Sequence, residues 1–170
     1  MNTGLLIARL IFGGALAAHG ARKLFGWFGG HGLAGTAAFF DSRGFRPAKP
    51  YVLAASAGEL AGGVLVALGL FGPCGPALIV AAMLVAIYAA HWGKGFFAES
   101  NGIELPLAYA AAAFVLAFAG PGSYSLDHAL GLDRAWPVSA GFAMAVAVLF
   151  ALASLVGRHP TPRERASGPA

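Results

Sequence analysis

The chain of 170 residues is poor in cysteine and in charge. It has one cysteine, and its 11 Lys and Arg and 7 Asp and Glu make up only 11% of the residues. A lone cysteine cannot form an intramolecular disulfide or a CxxC couple, which excludes dithiol chemistry within one chain. Because 58% of the residues are hydrophobic and the mean hydropathy is +0.73, the composition also excludes an ordinary cytosolic protein. It indicates a small integral membrane protein.

Motifs of common catalytic and cofactor sites are also missing. The sequence contains no structural zinc pattern, phosphate-binding loop, nucleophile elbow or HExxH, and no flavin, haem or iron–sulfur motif. The net charge of +4 is too sparse in so apolar a chain for a nucleic-acid footprint. We therefore read the basic residues as a topology signal.

Five apolar segments predict membrane spans, because a helix needs about 20 apolar residues to cross the hydrocarbon core. The segments are 3–20, 51–71, 76–92, 105–119 and 137–156. A cleaved signal peptide does not fit the first segment, since no Lys or Arg precedes it and Arg9 lies inside it. The fold class predicted from the residues is an all-α integral membrane protein.

The cations predict the orientation of these spans. Nine of the eleven fall on one side of the membrane: Arg22, Lys23, Arg43, Arg46, Lys49, Lys94, Arg158, Arg163 and Arg165. The opposite side has Arg134 alone. By the positive-inside rule, five spans then place the N-terminus outside and the C-terminus inside the cytoplasmic membrane.

Two connections are predicted to be more than links. Residues 24–40 are too apolar for a solvated loop and too rich in glycine for a span, so we expect them to lie in the inner interface or to re-enter. In the alternative, Phe25, Trp27 and Phe28 form an aromatic belt that only anchors the first span. Residues 120–131 form an outer loop, and the chain from 158 onward is a disordered basic tail.

Polar residues within the spans are the candidate functional residues, because a charge at mid-membrane costs at least ~2.5–3.5 kcal/mol. Counted from the outer ends of the spans, His19 lies ~24 Å deep, His91 ~22 Å and Glu59 ~18 Å. The three are predicted to share one layer, with His19 as the partner of Glu59 in preference to Arg9. Lys23, Lys94 and Glu104 border this layer.

Structural interpretations of the same residues stay open. Glu59 could be a hydrogen-bond partner that holds helices together, and the two histidines could be interfacial. Gly58 and Gly62 form a GxxxG motif, which predicts close helix approach. A haem bound by His19 and His91 is disfavoured, because Glu59 lies in the same layer and the chain has no other haem signal.

Successive motifs of the chain resemble those of the DoxX family of small membrane proteins. They are HGARKLFGWFGGHG (19–32), GELAGGVLVALGL (58–70), HWGKGFF (91–97), NGIELPL (101–107) and GPGSYSLD (120–127). The resemblance implies a four-helix transmembrane bundle in residues 1–136. The additional C-terminal helix then spans 137–157, and the cytoplasmic tail is 158–170. The family's recurring polar positions correspond to Arg9, His19, Lys23, Glu59, His91 and Glu104.

Two functions follow as hypotheses. In the first, the protein is a membrane component of a quinone-linked oxidoreductase or redox complex, with sulfur or thiol compounds as one source of electrons. The expected roles are catalysis for His19, Glu59 and His91, and quinone binding for Arg9, Lys23, Trp27 and Glu104. In the second, it is a non-catalytic accessory subunit of a respiratory complex. Expected partners are lipid and other redox subunits, with a homo-oligomer left open. Small-molecule transport ranks lower, because inverted repeats are absent.

Overall fold

The structure, a computed structural model, describes residues 2–133 and 136–159. Every regular element in those residues is helical. The helices are α1 (Asn2–Phe25), α2 (Gly32–Ser42), α3 (Ala48–Leu68), α4 (Cys74–Ala86), α5 (Glu104–Ala119), α6 (Leu126–Ala129) and α7 (Trp136–Val156). Helix α4 continues through a π-helical turn, Ile87–His91.

Four of the helices are long and apolar enough to cross a membrane. They are Asn2–Phe25, Ala48–Leu68, Cys74–His91 and Ser139–Val156. Helix α5 is apolar but has 16 residues, about 24 Å of helix, and is therefore short for a full crossing. The prediction of an all-α, multi-pass membrane protein is confirmed.

Glycine and proline set the ends of α3 and α4. Gly69 adopts the left-handed conformation (φ 63°) after Leu68, and the Leu70 N–H then bonds to the Leu65 carbonyl at 3.0 Å. This arrangement is a Schellman-type helix end, and it stops α3 three residues before the predicted boundary at Phe71. The FGPCG segment then turns the chain, as predicted, and α4 begins at Cys74.

Helices α3 and α4 form the centre of the bundle. Helix α1 packs along α3, α4 packs against both α3 and α5, and α1 also touches α5. Helix α7 lies outside this group of four and packs mainly on α4, with a smaller contact to α5. The core that these helices share includes Leu16, Val66, Ile79, Met83, Leu116 and Met144. A four-helix bundle with a fifth, C-terminal helix is the predicted fold class.

Glycines set the spacing of α3 from its neighbours. A Cβ atom on Gly13 of α1 would lie 2.6 Å from the Gly63 carbonyl oxygen, and one on Gly62 would lie 3.0 Å from the Gly75 carbonyl oxygen. Gly58 faces open space. The GxxxG prediction therefore holds for Gly62, which faces α4, and is wrong for Gly58. The close approach to α1 is made by Gly63 instead.

The two long connections are partly helical. Residues 24–40 form the end of α1, a 3₁₀ turn at Trp27–Gly29 and most of α2, and the loop of residues 120–131 contains α6. The division of the chain at residues 136 and 157 stays a prediction. Arg134, Arg163, Arg165 and the predicted tail from residue 160 lie outside the described residues.

Candidate functional site

A buried ion pair joins α1 to α3. The Lys23 Nζ lies 2.5 Å from Oε1 of Glu59, whose side chain is 2% exposed against 32% for Lys23. The prediction that His19 is the partner of Glu59 is wrong. Helix α1 runs on to Phe25, so Lys23 is still helical, and its side chain leans toward the helix N-terminus. The long lysine stem thus reaches Glu59 from one turn below His19.

The second carboxylate oxygen of Glu59 is buried without a partner. Within residues 2–133 and 136–159, Oε2 accepts no hydrogen bond. The hydroxyl of Ser56, three residues earlier on α3, is also buried and unpaired among these residues. Residues three apart are neighbours on a helix surface. A buried oxygen without a hydrogen-bond donor lowers the free energy of unfolding by about 1–3 kcal/mol. A water molecule or a ligand that donates to these two oxygens would remove that cost.

Glu59 is one of the residues that line a cavity of about 280 Å³. The wall combines one carboxylate, cations at its border, aromatic rings and small alanines. Its residues are Lys23, Thr36, Phe39, Phe40, Arg43, Phe45, Ala55, Glu59, Ala82, Val85, Ala86, Ala89, Ala90, His91, Lys94 and Asn101. The structure therefore brings Lys23, Glu59, His91 and Lys94 to one cavity, in the layer where the sequence placed them.

One wall of the cavity comes from α2, which the sequence reasoning missed. Thr36, Phe39, Phe40 and Arg43 line it, and the guanidinium of Arg43 lies 5.3 Å from the centre of the Phe39 ring. Residues 24–40 were expected to lie in the interface or to re-enter, and the sequence reasoning did not place them opposite Glu59. One feature of the segment could have indicated it: a Phe-Phe pair lies one turn before a cation, in an apolar segment between two spans.

His91 lies at the end of α4, where the helix widens into the π-helical turn. Its Nδ1 lies 2.7 Å from the carbonyl oxygen of Asn101, and both residues line the cavity. π-Helical turns occur frequently at functional sites. The contact with Asn101 fixes the ring beside the cavity, which suits a group that orients a ligand.

Three other predicted site residues lie outside this wall. The His19 ring packs edge-on against Tyr109 of α5 at 6.2 Å between centroids. Trp27 is 59% exposed and packs against Phe25 at 5.2 Å. Glu104 accepts a 2.7 Å hydrogen bond from the Ala98 N–H through Oε2, so it orders the loop before α5.

Arg9 lies at the opposite end of the bundle. Its Nη1 donates to the Pro121 carbonyl at 2.6 Å, and its Nη2 donates to the Tyr124 carbonyl. The side chain is 3% exposed, and its Nε is buried without a partner in the described part of the chain. Arg9 fastens the loop of residues 120–131 to α1, and neither an ion pair with Glu59 nor a place in the cavity wall is observed for it.

Asp127, at the same end as Arg9, is a buried carboxylate that the sequence analysis did not single out. It is 0% exposed. Its two oxygens accept the N–H groups of Phe71 at 2.9 Å and Gly72 at 2.7 Å. The side chain thereby joins the start of α6 to the turn between α3 and α4, and both oxygens are satisfied by backbone.

Comparison with known proteins supplies the family. The family model for DoxX matches residues 4–92, slightly more than half of the chain. The chain belongs to the DoxX family. No curated protein and no solved structure matches it. Most of the cavity wall, from Lys23 to His91, falls in the DoxX-matched part, and only Lys94 and Asn101 follow it.

The wall of this cavity combines a few polar side chains with apolar and aromatic ones. Among the described residues, no three His, Cys, Asp or Glu side chains come together as metal ligands. His19 and His91 contact different neighbours, Tyr109 and Asn101. The wall offers instead an unpaired acceptor on Glu59, donors on Lys23 and Lys94, and aromatic faces from α2. This is the usual makeup of a small-molecule site.

Proposed function

We propose that this DoxX protein binds a quinone head group in the cavity beside Glu59, as a membrane component of a quinone-linked oxidoreductase or redox complex. The observation that carries the proposal is that Glu59, whose Oε2 is buried and unpaired among the described residues, is one of the residues lining a cavity that also has three phenylalanine rings in its wall. DoxX proteins are often associated with redox and quinone-linked systems, which agrees with this interpretation.

The residues present fit a quinone head group. A volume of about 280 Å³ is just below the range of pockets for drug-sized ligands, which is roughly 300–1,000 Å³, and so suits a small head group. When bound, a quinone supplies a couple of two electrons and two protons. Glu59 would hold or release a proton at Oε2, and Lys23 positions the carboxylate through its contact with Oε1. His91, fixed by Asn101, would orient the ring. Electrons come from a redox partner or a reduced sulfur or thiol substrate.

The Lys23–Glu59 ion pair favours one alternative function. A buried pair between two spans can serve as a helix clamp, with the protein as an accessory subunit of a respiratory complex. In that case position 59 requires only a side chain that can form a hydrogen bond, and no ligand binds at Oε2. The two functions therefore differ in whether glutamine can replace Glu59 without loss of a bound molecule.

The test is the quinone content of the purified protein. Wild type, Glu59→Gln and Glu104→Gln are extracted into native-lipid nanodiscs, and quinone is quantified per chain by chromatography and mass spectrometry. We expect near-stoichiometric quinone in wild type and in Glu104→Gln, whose carboxylate lies outside the cavity, and at least a tenfold loss in Glu59→Gln. Quinone-free wild type, or a stable Glu59→Gln with full quinone content, would favour the accessory subunit.

The orientation belongs to the same proposal. We propose that the cavity end of the bundle faces the cytoplasm, because the described cations Arg22, Lys23, Arg43 and Lys94 lie at that end and cytoplasmic loops are enriched in Lys and Arg. A membrane-impermeant maleimide should then label Cys74, which is exposed, in intact cells. Labelling of Cys74 only after permeabilisation would reverse the orientation.

A further inference from the structure

The C-terminal end of α7 reaches the cavity wall from outside the DoxX-matched residues. The Nε of Arg158 donates to the carbonyl oxygen of Arg43 at 2.5 Å. The N–H of His159 donates to the carbonyl oxygen of Gly44 at 2.8 Å. Arg43 lines the cavity. Two consecutive residues after α7 thus bind two consecutive residues after α2.

Phe45 anchors the same contact in the core. It is 1% exposed and packs in one cluster with Val85 and Ala89 of α4 and Ala151 of α7. The guanidinium of Arg158 lies 5.9 Å from the centre of the Phe45 ring, within the range of a cation–π contact. Phe45 also lines the cavity, so this ring separates the cavity from α7.

Helix α2 packs against α3 and, to a smaller extent, against α1, and it lies at the surface of the bundle. None of its residues is buried, and it is bounded by Gly32 (φ 64°) and Gly44 (φ 82°) in left-handed conformations that glycine adopts easily. At its N-terminal half, the Thr36 hydroxyl donates to the Lys23 carbonyl at 3.3 Å. At its C-terminal end, the contacts with Arg158, His159 and the Phe45 cluster add to the ion pair between Arg46 and Asp41 and to the packing on α3.

We propose that Arg158 and His159, the residues just after α7, form a latch that keeps α2 closed over the cavity. Arg158 is the positioning residue for Arg43 and Phe45. Removing the Arg158 contacts would free the α2–α3 turn, and displacement of Phe45 would then open the cavity wall at Ala89 to solvent. The proposal concerns access to the cavity and does not rest on a quinone as its occupant.

The experiment measures thiol access at the cavity wall. In a Cys74→Ser background, a single cysteine is placed at Ala89, which is 7% exposed, and its rate of reaction with N-ethylmaleimide is measured in detergent. We expect Arg158→Ala to raise this rate at least tenfold. Lys49→Ala removes an exposed cation at the same end and should change the rate less than twofold.

A second cysteine separates local opening from general loosening. Ala113 of α5 is 3% exposed and lies outside the cavity wall. With cysteine at Ala113, Arg158→Ala should leave the rate of reaction within twofold of its parent. Equal rates at Ala89→Cys with and without Arg158, or a similar acceleration at Ala113→Cys, would overturn the latch.

Discussion

The two ends of the bundle, one with Arg9 and Asp127 and the other with Lys23 and Glu59, differ in how their buried charges are paired. At the Asp127 end, both carboxylate oxygens of Asp127 accept backbone N–H groups, and Arg9 donates to two loop carbonyls. At the Glu59 end, one oxygen is in an ion pair and the other is unpaired beside a cavity. Burial alone therefore does not mark a functional site in a membrane protein. A buried charge is a candidate ligand contact when the protein leaves part of it unsatisfied and its residue lines a cavity, as Glu59 does. The Nε of Arg9 is also unpaired among the described residues, but Arg9 is not part of that cavity wall.

The largest loss of stability is expected at Asp127. Asp127→Ala leaves the N–H groups of Phe71 and Gly72 without acceptors, at a cost of about 1–3 kcal/mol each. We expect a loss of about 2–6 kcal/mol in the free energy of unfolding, measured by denaturant titration in detergent. The cavity should keep its ligand in the fraction that remains folded.

Asp127→Asn is the matched control for that loss. It keeps one carbonyl acceptor and the shape of the side chain, so the cost should fall to about half. If Asp127→Ala unfolds at the same denaturant concentration as wild type, the hydrogen bonds of Asp127 do not stabilise the fold, which would contradict the structural role given to this end of the bundle.

The ion pair at the Glu59 end should show a smaller loss. Lys23→Met leaves the Glu59 carboxylate buried without its cation, which costs ~3–5 kcal/mol for a fully buried pair. Because Lys23 is one-third exposed, we expect about 1–3 kcal/mol. The double variant Lys23→Met, Glu59→Gln removes both charges and should recover most of the loss. A purely additive double variant would mean that the pair contributes little.

Substitutions at the glycines of α3 test how closely α1 packs against α3. Gly63→Ala places a Cβ atom 3.0 Å from the Ala17 Cα, and we expect about 1–3 kcal/mol of destabilisation from overpacking. Gly58→Ala, on the same helix, meets nothing within 4 Å and should be neutral or slightly stabilising. Equal melting temperatures for the two variants would show that α1 and α3 are not closely packed.

Hydropathy was enough to predict four of the five spans, because bilayer thickness fixes their length and composition, while α5 is shorter than a full span. The depth count also predicted that Glu59 and His91 lie close together with Lys23 at their border, and all three line one cavity. The partner of Glu59 was not predictable, since it depends on where α1 ends. The role of Asp127 was not predictable either, because its partners are backbone N–H groups 55 and 56 residues away. Such contacts leave no trace in residue type or spacing.

The smallest effect is expected at Trp27. Trp27→Ala removes an exposed ring outside the cavity wall, so we expect the free energy of unfolding to change by no more than about 0.5 kcal/mol and the quinone content to stay at the wild-type level. Chromatographic quantification of bound quinone checks this. A loss of quinone in Trp27→Ala would extend the site beyond the cavity and restore the role that the sequence suggested.

Ligand-induced stabilisation tests most directly the claim that Glu59 meets a ligand. Melting temperatures are recorded for wild type and Glu59→Gln with and without menadione, a naphthoquinone without a long tail. At ten times Kd, binding stabilises a protein by about 1.4 kcal/mol, or about 3–6 °C for a chain of this size. We predict that shift in wild type and its absence in Glu59→Gln. An unshifted wild type, or an equal shift in both proteins, would contradict the account.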